Sequence, residues 1–176
     1  MTATEQVILV DKNDNPIGTA EKLAAHRDNL CHRAFSVFIM RKKKEIEVLL
    51  QQRAAHKYHS ANLWTNTCCS HPRPGEDIIA AGKRRLKEEM GIETSLKSIG
   101  SFHYIAHFEN GLTENEIDHV LIGNDHRDTF HPNQEEVQAY RWINLSDLQN
   151  ELMHHPQQFT PWLKKALALF LNHIAL

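Results

Sequence analysis

Between residues 77 and 90 the apolar residues Ile78, Ile79, Leu86 and Met90 recur at helical spacing, with Gly82 in the same stripe and Gly91 as the C-terminal stop. This well-marked internal helix sits among short β-rich runs, which limits the chain to folds where a sheet is covered by few helices. Strands are expected at residues 6–10, closed by the turn-forming cluster Asp11, Asn13, Asp14, Asn15 and Pro16, and at residues 34–40 and 45–51. The last two read as a hairpin with a solvated tip of Arg41, Lys42, Lys43 and Lys44. Further strands are expected at residues 101–108, 117–123 and 139–143. Two helices close the chain, the second with Pro161 at its first position after Thr160 and Leu163, Ala166, Leu167, Phe170, Leu171 and Ile174 on one face. The pattern is α+β: a mixed or antiparallel sheet flanked by helices, in a single domain spanning residues 1–176.

A chain of 176 residues with 41% hydrophobic and 24% charged side chains can bury a core without disulfides or structural metals. Its 20 basic and 22 acidic residues leave a formal net charge of −2, which argues against a nucleic-acid or anionic-membrane partner. The longest wholly apolar run, residues 166–171, is far too short to span a bilayer, and the first residues show no basic and apolar leader pattern. Cys31 and the adjacent Cys68 and Cys69 read as free thiols in a reducing compartment, so a cytoplasmic location is expected. Histidine is abundant, at 13 residues. Only position can separate chemistry from compositional habit.

Three local patterns carry chemical potential. On the helix, Arg85 lies one turn from Glu89, either as a surface ion pair or as a guanidinium for phosphate beside a carboxylate for a divalent cation. In Trp64-Thr65-Asn66-Thr67-Cys68-Cys69-Ser70-His71-Pro72, a Cys two residues before a His is compatible with a nucleophile and its base, a metal-ligand pair or a proton donor. Glu114 and Glu116, opening a strand, project to one face because strand side chains alternate. With His26, His32 and His71 they would offer three nitrogens and two carboxylates, a set suited to a six-coordinate divalent ion.

The helix and the turn before it are similar to the second half of the Nudix box. Glu76, Arg84, Glu88, Glu89 and Gly91 fall in register, whereas Ser70 stands for the first Gly and Arg85 for the Glu that follows Arg. The second departure falls at a metal-ligand position and weakens the case for diphosphate hydrolysis. Over residues 7–162 the chain resembles the type I isopentenyl-diphosphate isomerases of the Nudix fold superfamily. The motifs in order are Glu21-Lys22 with Ala25-His26, His32-Arg33-Ala34-Phe35, Gln52-Arg53, residues 64–72, Glu114-Asn115-Glu116 and Phe159-Thr160-Pro161-Trp162.

That resemblance implies a Nudix-like fold and interconversion of isopentenyl and dimethylallyl diphosphate by protonation and deprotonation through a tertiary carbocation, in isoprenoid biosynthesis. It implies Cys69 and Glu116 as the acid/base pair, with Tyr104 beside Glu116. It implies that His26, His32, His71, Glu114 and Glu116 ligate one divalent ion (Zn²⁺, Mn²⁺ or Mg²⁺), and that Glu89 and the Cys69 carbonyl help hold a Mg²⁺ arriving on the diphosphate. Lys22, Arg53, Lys57 and Arg85 match the positions that neutralise the diphosphate, and Trp162 the one that closes over the hydrocarbon. Glu88 and Cys68 match no required role, and the remaining histidines, His59 among them, are expected at the surface or in packing. The partner is a small prenyl diphosphate, with neither nucleic acid nor membrane; the sequence leaves the oligomeric state open, and a monomer is compatible with it. The rivals are a Nudix-type diphosphate hydrolase, which needs a fuller carboxylate set on the helix, and a catalytically silent Nudix-like binding module, which predicts losses among Cys69, His71, Glu114 and Glu116.

Overall fold

The eleven-residue strand His32–Lys42 is buried along both faces, and the rest of the chain is arranged about it. The computed structural model describes residues 4–175. In chain order the elements are β1 (Gln6–Val10), β2 (Pro16–Glu21), α1 (Lys22–Arg27), β3 (His32–Lys42), β4 (Ile46–Arg53), β5 (Trp64–Thr65), β6 (Cys68–Ser70), α2 (Ile78–Met90), β7 (Lys97–His107), β8 (Thr113–Asn124), β9 (Val137–Asn144), α3 (Leu145–His154), a short 3₁₀ turn (Pro156–Gln158) and α4 (Leu163–Ile174). All nine strands join one mixed sheet. β3 pairs in parallel with β8, from His32 opposite Glu116 to Met40 opposite Asn124, and antiparallel with β1, β4 and β6. A parallel pair needs a long crossover, and α2 and β7 supply it.

Alternation along β3 divides the core. Phe35, Val37 and Ile39 pack under α2 with Ala81, Leu86, Met90 and Leu121. Phe38 faces the other way, with Leu50, Val120, Leu163, Ala166, Leu167 and Phe170 of α4. A strand covered on both sides has little room for polar side chains, which is why residues 34–40 are apolar except for Ser36.

Helix α2 ends where its punctuation predicts. The Asp77 carboxylate accepts from the backbone N–H of Ile79 and Ala80, and Gly91 adopts a left-handed φ of 67°. Gly82 is set by packing, because a Cβ there would lie 2.6 Å from Leu121 Cδ1.

Two local expectations are corrected. Arg41 is no solvated tip: the turn is the three residues after β3, and the buried Arg41 guanidinium bonds Asp128 at 2.6 Å and Glu47 at 3.1 Å over the Trp142 ring. The last helix begins at Leu163 rather than Pro161, because the Thr160 hydroxyl donates to Thr65 Oγ1 at 2.8 Å and caps nothing. β2, α1, β5 and β6 were not foreseen. Among the described residues the three cysteines are free, and no helix is long and apolar enough to cross a membrane.

Candidate active site

The β3–β8 register sets His32 beside Glu116, and Glu114, Glu116 and Asp118 follow at every second position of β8. Glu116 Oε2 lies 3.0 Å from His32 Nε2 and 2.6 Å from His71 Nε2. His26, on the helix α1 that follows β2, brings its ring to 4.9 Å from that of His32 and 5.7 Å from that of His71. Donor atoms of His26, His32, His71 and Glu116 form one buried group; His26, Glu114 and His59 form a second that overlaps it.

The residues fit a divalent cation. His26 Nδ1 lies 2.7 Å from the Lys22 carbonyl and His32 Nδ1 2.9 Å from the Leu30 carbonyl. A carbonyl can only accept, so both Nδ1 atoms carry the proton and turn the Nε2 lone pairs inward. His26 Nε2 and Glu114 Oε2 are buried there without a hydrogen-bond partner. The bare His32 Nε2 facing a carboxylate oxygen calls for a second proton or a cation between them. Burial opposes charge on His32, yet the neighbouring Glu116 raises it; burial likewise opposes charge on Glu116, yet the adjacent His32 and His71 rings hold it well below the usual carboxylate range. Burial, then the charge of Glu116, pushes Glu114 well up.

The other half of the site lies on β6, where Cys69 is paired with Ser36 across β3. Alternation sends Cys68 into the core, its thiol donating to Glu89 Oε2 at 2.7 Å, and Cys69 to the same sheet face as Glu116. The Cys69 S–H donates to Asn66 Oδ1 at 3.0 Å, and the Trp162 indole N–H donates to the sulfur at 3.1 Å. Asn66 is oriented unambiguously, since its Nδ2 donates to the carbonyls of Val37 and Cys68. Burial, reinforced by the charge of Asp118, pushes the thiol up to about 12. Cys69 therefore keeps its proton, which favours the proton donor among the three readings of Cys-x-His. Tyr104 on β7 stands opposite Glu116, and its buried hydroxyl has no partner.

Between these halves opens a cleft of about 560 Å³, including its mouth. Lys22, Arg53, Lys57 and Arg85 line it together with Cys69, Glu89, Glu114, Glu116, His71 and Trp162. Glu136 pairs with both Lys57 and Arg85. Arg85 reaches Glu88 at 2.7 Å and Glu89 at 3.8 Å, and of these two carboxylates only Glu89 lines the cleft.

Four residues of the site escaped the sequence reading. His59, expected at the surface or in packing, is buried in the cleft wall with its Nε2 2.9 Å from Glu114 Oε1. Asp118 lines the cleft, accepting from Ser36 Oγ at 2.8 Å with its second oxygen unpartnered, and the Glu-x-Glu-x-Asp alternation carried the signal for it. Asn66 lay inside the quoted motif without a role. Glu136 sits in a loop where no local pattern marks it.

A NUDIX domain model matches residues 31–164. The isopentenyl-diphosphate Delta-isomerase of Photobacterium profundum is 49% identical over 178 residues, covering 99% of both chains. That of Aliivibrio fischeri (strain MJ11) is 46% identical and covers 97% of each. The chain belongs to the isopentenyl-diphosphate Delta-isomerase family. Its fold is shared more widely: the MutT protein from Methanosarcina mazei Go1 superposes with a TM-score of 0.63 at 17% identity, over 81% of this chain and 94% of that one. In this isomerase-family chain both departures from the Nudix box have a structural setting. Arg85 faces the cleft beside Glu89 and Glu136, and Ser70 is buried in β6 opposite Phe35.

Proposed function

We propose that the protein interconverts isopentenyl and dimethylallyl diphosphate, with Cys69 and Glu116 as the two proton-transfer groups. The observation that carries this reading is the placing of the Cys69 thiol and the Glu116 carboxylate on strands that flank β3, on one sheet face, in a cleft rimmed by four cationic side chains. One group adds a proton to the end of the double bond, a tertiary cation forms, and the other takes a proton from the carbon two bonds away, so one proton enters and one leaves. Burial pushes the Cys69 thiol up, which favours its protonated form, and the neighbouring His32 and His71 rings favour the charged form of Glu116.

The chain's own residues meet what that step demands. Trp162 is buried against the thiol, and its indole face favours a desolvated cation by about 2 kcal/mol, more than tenfold in rate when the contact is specific to the transition state. Tyr104, the register partner of Glu116 on β7 with its hydroxyl unpartnered, is the residue proposed to share a proton with it. Lys22, Arg53, Lys57 and Arg85 hold the diphosphate, and binding energy at that remote end orients a small hydrocarbon with no polar handle of its own. His26, His32, His71, Glu114 and Glu116 would hold a divalent ion, Zn²⁺, Mn²⁺ or Mg²⁺, and Glu89 with the Cys69 carbonyl would help hold the Mg²⁺ of the diphosphate. When bound, the first ion supplies a fixed positive charge that sets the acidity of the Glu116 carboxyl. Since Cys69 must remain a free thiol, a reducing compartment, the cytoplasm, is the proposed setting.

The hydrolase alternative is disfavoured by α2, which turns only Glu89 into the cleft while Arg85 occupies the neighbouring position. Incubation of metal-replete protein with isopentenyl diphosphate and Mg²⁺ in D₂O, followed by proton and phosphorus NMR, tests the reading. Deuterated dimethylallyl diphosphate with its diphosphate intact is expected, and Cys69→Ala and Glu116→Gln should abolish it. Phosphate release without isomerisation would overturn the reading in favour of a hydrolase, and no reaction in favour of a binding module.

A further inference from the structure

His59 is the one buried histidine of the cleft that the five-donor metal set does not use. It lies in the loop between β4 and β5, and its position is strongly determined. Its ring stacks on Phe108 with centroids 4.7 Å apart and planes 13° from parallel, and meets Tyr58 and Trp162 edge-on. Arg53 donates to its backbone carbonyl at 3.2 Å, and its Nδ1 lies 3.3 Å from Ser60 Oγ. The remaining ring nitrogen, Nε2, is 2.9 Å from Glu114 Oε1, and this close approach lacks the alignment of a hydrogen bond.

We propose that His59 is a further nitrogen ligand of the divalent ion, binding through Nε2 on the side it shares with Glu114 and His26. Three considerations converge. Two donors each about 2.1 Å from one ion and at right angles lie about 3.0 Å apart, which matches the Nε2 to Oε1 separation and explains a contact that is close yet not hydrogen-bonded. His26 belongs to both donor groups, and its unpartnered Nε2 has a single lone pair, so the two groups cannot fill with two ions at once. A six-coordinate ion held by three histidines and two glutamates, each giving one atom, is also one donor short, and His59 Nε2 supplies the sixth.

This inference deepens the metal half of the proposed function and is independent of the reaction. The test loads native protein and His59→Phe, which keeps the aromatic stack on Phe108, with Zn²⁺ or Mn²⁺. Affinity is measured by competition with a chelator, and ligand nitrogens are counted by zinc X-ray absorption or by electron spin-echo spectroscopy of the manganese form. The expected result is four histidine nitrogens in the native protein and three in His59→Phe, with affinity lowered at least about tenfold. Three nitrogens in the native protein overturns the proposal, whether or not His59→Phe folds. Unchanged affinity in folded His59→Phe also overturns it, and a loss of affinity at constant nitrogen count reduces His59 to a residue that positions Glu114. Failure of the native protein to bind either ion would remove the metal site itself, a result distinct from all of these.

Discussion

The indole N–H of Trp162 donates to the Cys69 sulfur at 3.1 Å and lies 3.2 Å from Asn66 Oδ1, the acceptor of the Cys69 proton. The ring proposed to face the carbocation is therefore also the donor that steadies the sulfur when its proton leaves. Trp162→Phe keeps an aromatic face and removes the donor. One hydrogen bond at about 1 kcal/mol plus a weaker cation–π contact predicts a fall of roughly tenfold or more in kcat, with KM for isopentenyl diphosphate little changed. Steady-state kinetics check this, and a rise in KM at constant kcat would show that Trp162 only binds.

Glu136 occupies two of the four cations proposed to hold the diphosphate, so an incoming diphosphate must share Lys57 and Arg85 with it. Glu136→Gln removes one like charge from the anion site. In a partly exposed setting this is worth about 1 kcal/mol, roughly fivefold tighter binding of pyrophosphate, whereas Arg53→Ala should weaken it. Isothermal titration with pyrophosphate distinguishes the two; weaker binding to Glu136→Gln would mean that the carboxylate positions the cations rather than competing for them.

Gly82 lets α2 approach the sheet. Alanine would gain about 1 kcal/mol of helix propensity, but its Cβ meets Leu121 Cδ1 at 2.6 Å and Leu96 Cδ1 at 3.1 Å in a packed core. Overpacking of this kind costs about 1–3 kcal/mol, so the net effect of Gly82→Ala is destabilising. Relief by a shift of α2 carries Arg85 and Glu89 outward. Urea denaturation and the KM for substrate should therefore both worsen, and a stabilised variant would contradict the packing argument.

Glu76 and Arg84 form a two-pronged ion pair, Nε to Oε2 at 2.7 Å and Nη2 to Oε1 at 2.8 Å, in front of α2. The bonds from Arg84 hold the Glu76 carboxyl below its usual range. A depressed carboxyl contributes stability above its unfolded value, near 4.3, and loses it as pH falls through the folded value. Glu76→Gln should thus cost about 1 kcal/mol at pH 7, with the gap to the native protein closing below about pH 4. Urea midpoints of the two proteins measured across that range decide it; a gap constant with pH would assign the loss to packing.

The parts of the molecule legible in the sequence are those fixed by local spacing. Asp77 to Gly91 marks its own helix, and Glu114 and Glu116 share a face through strand alternation alone. The short elements were not legible because their stability is borrowed. β5 has two residues and β6 three, held by pairing with β4 and β3. Arg41 looked like a solvated tip because its partner Asp128 lies 87 residues further along the chain. His59 and Glu136 reach the cleft from loops, where no period links a residue to a face.

The pairing of His32 with Glu116 joins residues 84 positions apart, and it exists only once the parallel β3–β8 ladder has closed. His26, His32 and His71 all precede the crossover, so the first part of the chain to leave the ribosome carries the nitrogens without either carboxylate. Contacts of such long range form late in folding. A divalent ion thus finds its full donor set in the completed sheet alone. Because the ion has little to recognise in the unfolded chain, its binding free energy adds almost wholly to folding stability, and an excess of a thousandfold over the dissociation constant is worth about 4 kcal/mol. An ion held by these residues would latch the sheet, so the supply of metal would set part of the folding stability.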